Sequence, residues 1–148
     1  MRGFRFRLKA LQRIREESRK IAQRKLAGAM QQRNTLVAEG QEVQTELQGL
    51  EDQMRQLVAK QQLNIDVVLN GHRHRTSLQG KLSQLDKAIA KANDEVSRCR
   101  AKLVEADRDV KVLEKLHERQ LAEHNQKIAA HEAKLLDEAA LVRANRDT

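Results

Sequence analysis

The apolar residues in the second half of the sequence recur at alternating spacings of four and three residues. We call this row of residues the second seam, and its members are Leu78, Leu82, Leu85, Ile89, Ala92, Val96, Cys99, Leu103, Ala106, Val110 and Leu113. This alternation is typical of an α-helix that packs lengthwise against another helix in a coiled coil. Because the chain contains no proline, no residue is expected to break such a helix. The pattern predicts an all-α fold.

A first seam precedes it. Leu36, Val43, Leu50 and Leu57 recur every seven residues, and Leu47 and Met54 occupy the alternate position. Upstream, the stripe continues from Leu8 to Ala29 with one extra four-residue step, which locally relaxes a supercoil. Two seams in one chain predict two long helices that form an antiparallel coiled-coil hairpin.

The two seams are separated by residues 61–71, where the seven-residue pattern breaks. Asn64 or Asp66 would cap the start of a second helix, and the Asn70-Gly71 pair would make an alternative turn. We favour the first position, because apolar residues follow Asp66 directly. The prediction is a single coiled-coil domain over residues 1–148, with a helix at about 4–62, a bend at about 63–66 and a helix at about 66–146.

This hairpin has arms of unequal length. Past Leu113 the second seam steps again, and one of its positions then carries Leu121, Ile128, Leu135 and Val142. With a bend near Asn64, the last three lack an intramolecular partner, and an unpaired apolar stripe on a long helix marks a docking surface. A turn at Gly71 would nearly match the arms and would weaken this expectation.

The composition argues against an enzyme. Aromatic residues make up 1% of the chain and glycines number six, too few for the turns and the core of a sheet-based catalytic globule. No phosphate-binding loop, glycine-rich nucleotide motif or acidic dyad occurs, so we expect no catalytic site and no cofactor. The single cysteine, Cys99, occupies a seam position and is expected to be a small buried apolar residue, which suits a reducing compartment.

Three histidines share the other position of the C-terminal seam: His117, His124 and His131. Their seven-residue spacing separates neighbours by about 10 Å along a helix, so they cannot share one metal ion, and no metal site is expected. We interpret them as half-exposed polar seam positions, with contact to a partner protein as the alternative.

Positive charge is concentrated at the N-terminus. Residues 1–35 carry 11 basic and two acidic side chains, within a formal net charge of +8 for the chain. Such an arm suits an acidic protein, nucleic acid or an anionic membrane. Residues 1–25 contain no asparagine to read base edges as a basic-region zipper does. Nonspecific nucleic-acid binding, a homodimeric scaffold and a membrane-surface scaffold stay open as alternatives.

Three stretches together resemble the flagellar export protein family FliJ. They are the start, residues 4–11, followed by Lys25-Leu26-Ala27; the middle, residues 63–69, with Leu78 and residues 85–89; and the end, residues 112–116 with Arg119, Glu132, residues 137–140 and Arg143. The resemblance covers essentially the whole chain. The order of these stretches favours the flagellar family over the equivalent stalk of virulence type III secretion systems, which stays the alternative.

The resemblance implies a cytoplasmic, non-enzymatic coiled coil of the flagellar type III export apparatus, peripherally associated with the inner membrane and needed for flagellum assembly, motility and chemotaxis. Members are similar to the central stalk of rotary ATPases. The implied partners are the hexameric export ATPase, the membrane export gate and export chaperones. We expect the ATPase to meet the terminal end of the hairpin and the gate to meet residues 60–78. The candidate partner-binding residues are Phe4, Phe6, Arg13, Arg15, Leu121, Ile128, Leu135 and Val142, with both phenylalanines at the interface and outside the core.

Overall fold

A computed structural model describes residues 3–62 and 64–148. The chain forms two long helices that pack against each other, α1 at Lys9–Ala59 and α2 at Ile65–Arg146. No strand occurs within the described residues. The predicted all-α hairpin of two long helices is confirmed. Two compact units divide the chain: a terminal unit of residues 1–20 and 104–148, and a bend unit of residues 21–103.

The core of the bend unit follows the two predicted seams. Val43 and Leu47 of α1 are buried against Leu78 and Leu85 of α2. Val96 and Cys99 are buried farther along α2, as expected for a small apolar residue at the cysteine position. Partly buried leucines complete this packing: Leu36, Leu50 and Leu82. Apolar residues that recur along each helix in the predicted seams therefore meet in the core between the two helices.

The end of α1 is a Schellman turn, the hydrogen-bonded C-terminal motif in which one residue adopts the left-handed conformation. Gln61 has a φ of 54°. Its N–H donates to the carbonyl of Val58 at 3.2 Å, and the N–H of Gln62 donates to the carbonyl of Leu57 at 3.2 Å. These bonds satisfy carbonyl groups that the end of a helix otherwise leaves without partners.

The start of α2 is capped by Asn64. Its Oδ1 accepts a hydrogen bond from the N–H of Asp66 at 3.2 Å, and its carbonyl accepts one from the N–H of Val68 at 3.1 Å. Residues 60–64 therefore connect the helices, slightly earlier than the expected bend at 63–66; Leu63 lies outside the described residues. The alternative turn at residues 70 and 71 is wrong, because both lie inside α2.

The start of α1 differs from the prediction of a helix from about residue 4. Residues 3–6 are not helical, and α1 begins at Lys9, whose N–H donates to the carbonyl of Phe6 at 3.2 Å. Side chains two residues apart point to different sides of a helix. The non-helical backbone instead lets Phe4 and Phe6 both pack on α2, and this tertiary packing overrides the local helical tendency.

The terminal unit has a small core on α2. Val110 is fully buried, Leu113 is 6% exposed, and Phe6 from the N-terminal segment is 9% exposed. Neither α1 nor α2, within the described residues, contains a stretch long and apolar enough to cross a lipid bilayer.

Candidate partner-binding site

An aromatic–histidine cluster attaches the N-terminal segment to α2 in the terminal unit. The Phe6 ring lies edge-on to His117, with centroids 4.8 Å apart and planes at 85°. The Phe4 ring lies 5.5 Å from the rings of both His117 and His124. Edge-to-face contacts of this kind stabilise a pair beyond the area that it buries. Two of the three seam histidines are thus partly covered by aromatic rings of the same chain.

This packing corrects one expectation and leaves another open. Phe6 belongs to the core of the terminal unit, although both phenylalanines were expected to lie outside a core. The reason is the edge-to-face contact with His117, which joins residues far apart in the sequence. Phe4 is half-buried, so part of its ring faces solvent and its role as a partner contact stays a prediction.

Ion pairs also cross between the two helices within the terminal unit. Arg15 pairs with Asp109 at 3.4 Å, and Arg19 pairs with Asp107 at 3.4 Å. Lys111, one turn along α2, lies 3.0 Å from Asp107. The hydrogen bond from Lys111, aided by its charge and by Arg19, holds the pKa of Asp107 below the usual aspartate value against the opposing effect of burial. Part of the binding capacity of Arg15 is therefore used within the chain.

Other basic residues of the segment remain open to solvent. Arg5, Arg7 and Arg13 are exposed, and Arg13 has no ion pair within residues 3–62 and 64–148. All three guanidinium groups are therefore available to an anionic partner.

The predicted apolar row of α2 becomes progressively exposed toward the end of the helix. Leu121 and Ile128 are half-buried, while Leu135 is 51% exposed and Val142 is 53% exposed. Every residue from 129 to 148 is exposed. Sequence reasoning missed Leu136 and Leu141, which are 71% and 65% exposed, because neither occupies a position of the predicted seam.

A second surface lies in the bend unit. A groove of about 590 Å³ has an apolar lining that includes Leu50, Met54, Val58 and Val68. Gly71 also lines this groove. A Cβ added at this position would lie 2.7 Å from the sulfur of Met54, so a larger residue would require Met54 to move.

Charged and apolar side chains surround this groove. Arg75 pairs with Glu51 at 3.7 Å, and His74 lies 3.4 Å from Glu46, which places part of the basic run at residues 72–75 beside α1. Four consecutive or nearly consecutive apolar residues at the start of α2 are exposed: Ile65, Val67, Val68 and Leu69. The bend unit therefore offers an apolar surface with a polar rim.

Comparison with known families assigns the chain. Residues 4–148 match the family described as Flagellar FliJ protein. The chain belongs to the FliJ family. Neither curated proteins nor solved structures gave a significant match. Membership makes the chain a coiled-coil protein related to flagellar export, in a family of structural rather than catalytic proteins.

Proposed function

We propose that the chain is a non-enzymatic stalk of the flagellar type III export apparatus. In this role the terminal unit binds the hexameric export ATPase, the bend unit binds the membrane export gate, and the coiled coil also binds export chaperones. The observation that carries the proposal is the exposed apolar row at Leu135 and Val142 on a helix where earlier seam residues such as Val110 are buried. When a partner covers such water-exposed apolar side chains, the free energy of the complex is lowered.

The charge of the terminal unit supports an acidic partner. The exposed Arg5, Arg7 and Arg13 lie in the N-terminal part of the same unit. Positive surface charge accelerates encounter with an acidic surface and makes the association rate fall with added salt. We therefore assign encounter with the ATPase mainly to the arginines and its retention mainly to the apolar row.

Deletion of residues 126–148 tests the ATPase interaction. This segment is exposed except for the half-buried Ile128, so its removal is expected to abolish ATPase binding and stimulation while the remaining residues stay helical. Circular dichroism measures the helicity and a coupled assay measures ATP hydrolysis. A truncated chain that still stimulates the ATPase would refute the assignment.

A point substitution localises the same test. Leu135→Ser removes an apolar side chain from the row. Leu141→Ser removes a leucine that is at least as exposed but lies away from the row, because Val142 belongs to the row and adjacent residues are about 100° apart on a helix. The first substitution is expected to weaken ATPase binding several-fold more than the second. Equal effects would show that the row has no special role.

The gate assignment rests on the bend unit. Val68 lines the groove and is 37% exposed, so Val68→Ser is expected to weaken binding to the gate protein without reducing ATPase binding. Asn70→Ser, also exposed and on the same helix, is the matched control. If Val68→Ser lost binding to both the gate protein and the ATPase, general misfolding would be indicated. If it kept both, this surface would be removed from the proposal.

The proposed location follows from these partners. A stalk that binds the ATPase and the gate works in the cytoplasm and at the inner membrane, where it is held by proteins and needs no lipid contact of its own. Depletion of the gate protein is expected to release the chain from the membrane fraction. Persistent membrane binding by the purified chain alone would instead favour a membrane-surface scaffold.

A further inference from the structure

Two opposite charges interrupt the exposed apolar face at the end of α2. Glu132 and Arg143 are both exposed, and neither has an ion pair within the described residues. Their separation of 11 residues places them within about 20° of each other around the helix and about 16 Å apart along it. They share one side of α2 but cannot reach each other.

Apolar residues fill the space between these charges. Leu136 and Ala139 follow Glu132 at steps of four and three residues and precede Arg143 by four, the spacing of residues on one helical face. Leu136 is 71% exposed. Glu132, Leu136, Ala139 and Arg143 therefore form a strip on one face, with an acidic end, an apolar centre and a basic end. Leu135 and Ala140 flank this strip.

We propose that this strip pairs antiparallel with the same strip of a second copy of the chain. A twofold axis between residues 137 and 138 sets Glu132 opposite the second copy's Arg143, and Arg143 opposite the second copy's Glu132. The same axis sets each Leu136 opposite Ala139, so that a large side chain faces a small one. A closed twofold dimer requires a self-complementary surface of this kind.

The arrangement favours a second copy over an unrelated partner. One helix face supplies both members of each ion pair and both members of each apolar pair, in the order that an antiparallel match needs. A parallel match would set like charges opposite each other, which is unfavourable. The strip from 132 to 143 spans about 16 Å. An interface of this length is small, so the dimer forms reversibly at micromolar to millimolar concentration.

Sedimentation equilibrium of the full-length chain tests the pairing. The wild type is expected to pass from monomer to dimer between about 10 μM and about 1 mM, the range of weak association. Glu132→Arg and Arg143→Glu, each alone, convert both symmetry-related attractive pairs into repulsive ones. Each is expected to weaken dimerisation about tenfold, because every dimer loses two exposed ion pairs of modest strength and gains two repulsive contacts.

The combined Glu132→Arg and Arg143→Glu variant is the decisive measurement. It restores opposite charges across the twofold axis, so its dimerisation constant is expected to return to within about threefold of wild type, the non-additivity expected for residues in direct contact. Lys134→Glu, exposed and on the opposite side of α2, is the control and should leave the dimer unchanged. Circular dichroism confirms equal helicity of all variants.

Three results would overturn the proposal. They are a wild type that stays monomeric throughout, single variants that dimerise like the wild type, and a combined variant as weak as the single ones. The last result would indicate that the copies pair in a different geometry, because only the proposed twofold match restores opposite charges in the combined variant. The measurement contains this chain alone, so its outcome does not depend on whether the chain binds an export ATPase.

Discussion

Replacement of Phe6 by alanine releases the N-terminal segment from α2. Burial of a phenylalanine side chain stabilises by about 1.5–3 kcal/mol, and Phe6 is 9% exposed. The edge-to-face contact with His117, at 4.8 Å, adds about 0.5–1.5 kcal/mol. The substitution should therefore cost about 2–4 kcal/mol of docking free energy, which raises the undocked fraction about 30- to 1,000-fold.

Limited proteolysis with trypsin measures this change. Arg5 and Arg7 flank Phe6, and cleavage after them requires the segment to leave α2. When opening and closing are fast, the cleavage rate follows the population of the open form. Phe6→Ala should accelerate cleavage after Arg7 by the factor above, whereas Phe4→Ala, at a half-buried ring, should have a smaller effect.

Cleavage after Lys60, in the connection between the helices, provides an internal control and should keep its wild-type rate in both variants. An acceleration of less than about threefold at Arg7 in Phe6→Ala would refute the reasoning, because it would show that the burial and ring contact of Phe6 contribute little to docking.

The remaining predictions concern the helices. Val110→Ala, at a fully buried position, should cost about 2–3 kcal/mol in urea unfolding, whereas Val112→Ala, 64% exposed on the same helix, should change stability by less than about 0.5 kcal/mol; equal effects would contradict the packing. Gly40→Ala should stabilise by about 1 kcal/mol, because the added Cβ meets its nearest atom at 3.7 Å; a lowered thermal midpoint would contradict this. The lowered pKa of Asp107 means that the ionised carboxylate stabilises the fold at neutral pH and that this stabilisation is lost as the pH falls through that pKa. Lys111→Gln should raise the pKa of Asp107 toward the usual aspartate value in an NMR titration. An unchanged titration midpoint would exclude Lys111 as the main cause of the lowered pKa.

The heptad spacing predicted most of the core, because the residues that it selects on each helix are the ones that a second helix covers. Val43, Leu47, Leu78 and Leu85 are buried as that spacing requires. The exposure of Leu135 and Val142 was predicted in the same way, from the unequal lengths of the two arms. These features depend on local periodicity and on the position of one bend.

Other features depend on contacts between distant residues, which local periodicity does not contain. Phe6 packs on His117, and Arg15 pairs with Asp109 at a sequence separation of 94 residues. The bend lies slightly earlier than the sequence predicts because its usual sequence signal is missing. Its left-handed position carries Gln61, where glycine is the usual residue and the usual sequence signal.

The last turns of α2 form a helix without tertiary support. Residues 129–146 have no buried side chain, so they lack the tertiary packing that supplies most of the stability of helices in proteins. Their amide hydrogens should therefore exchange faster than those around Val110, and any molecule that covers this surface must first hold it in helical form. The six alanines in this stretch favour the helix before binding and so reduce the entropy lost on ordering, which makes the helix propensity of the free chain part of the affinity.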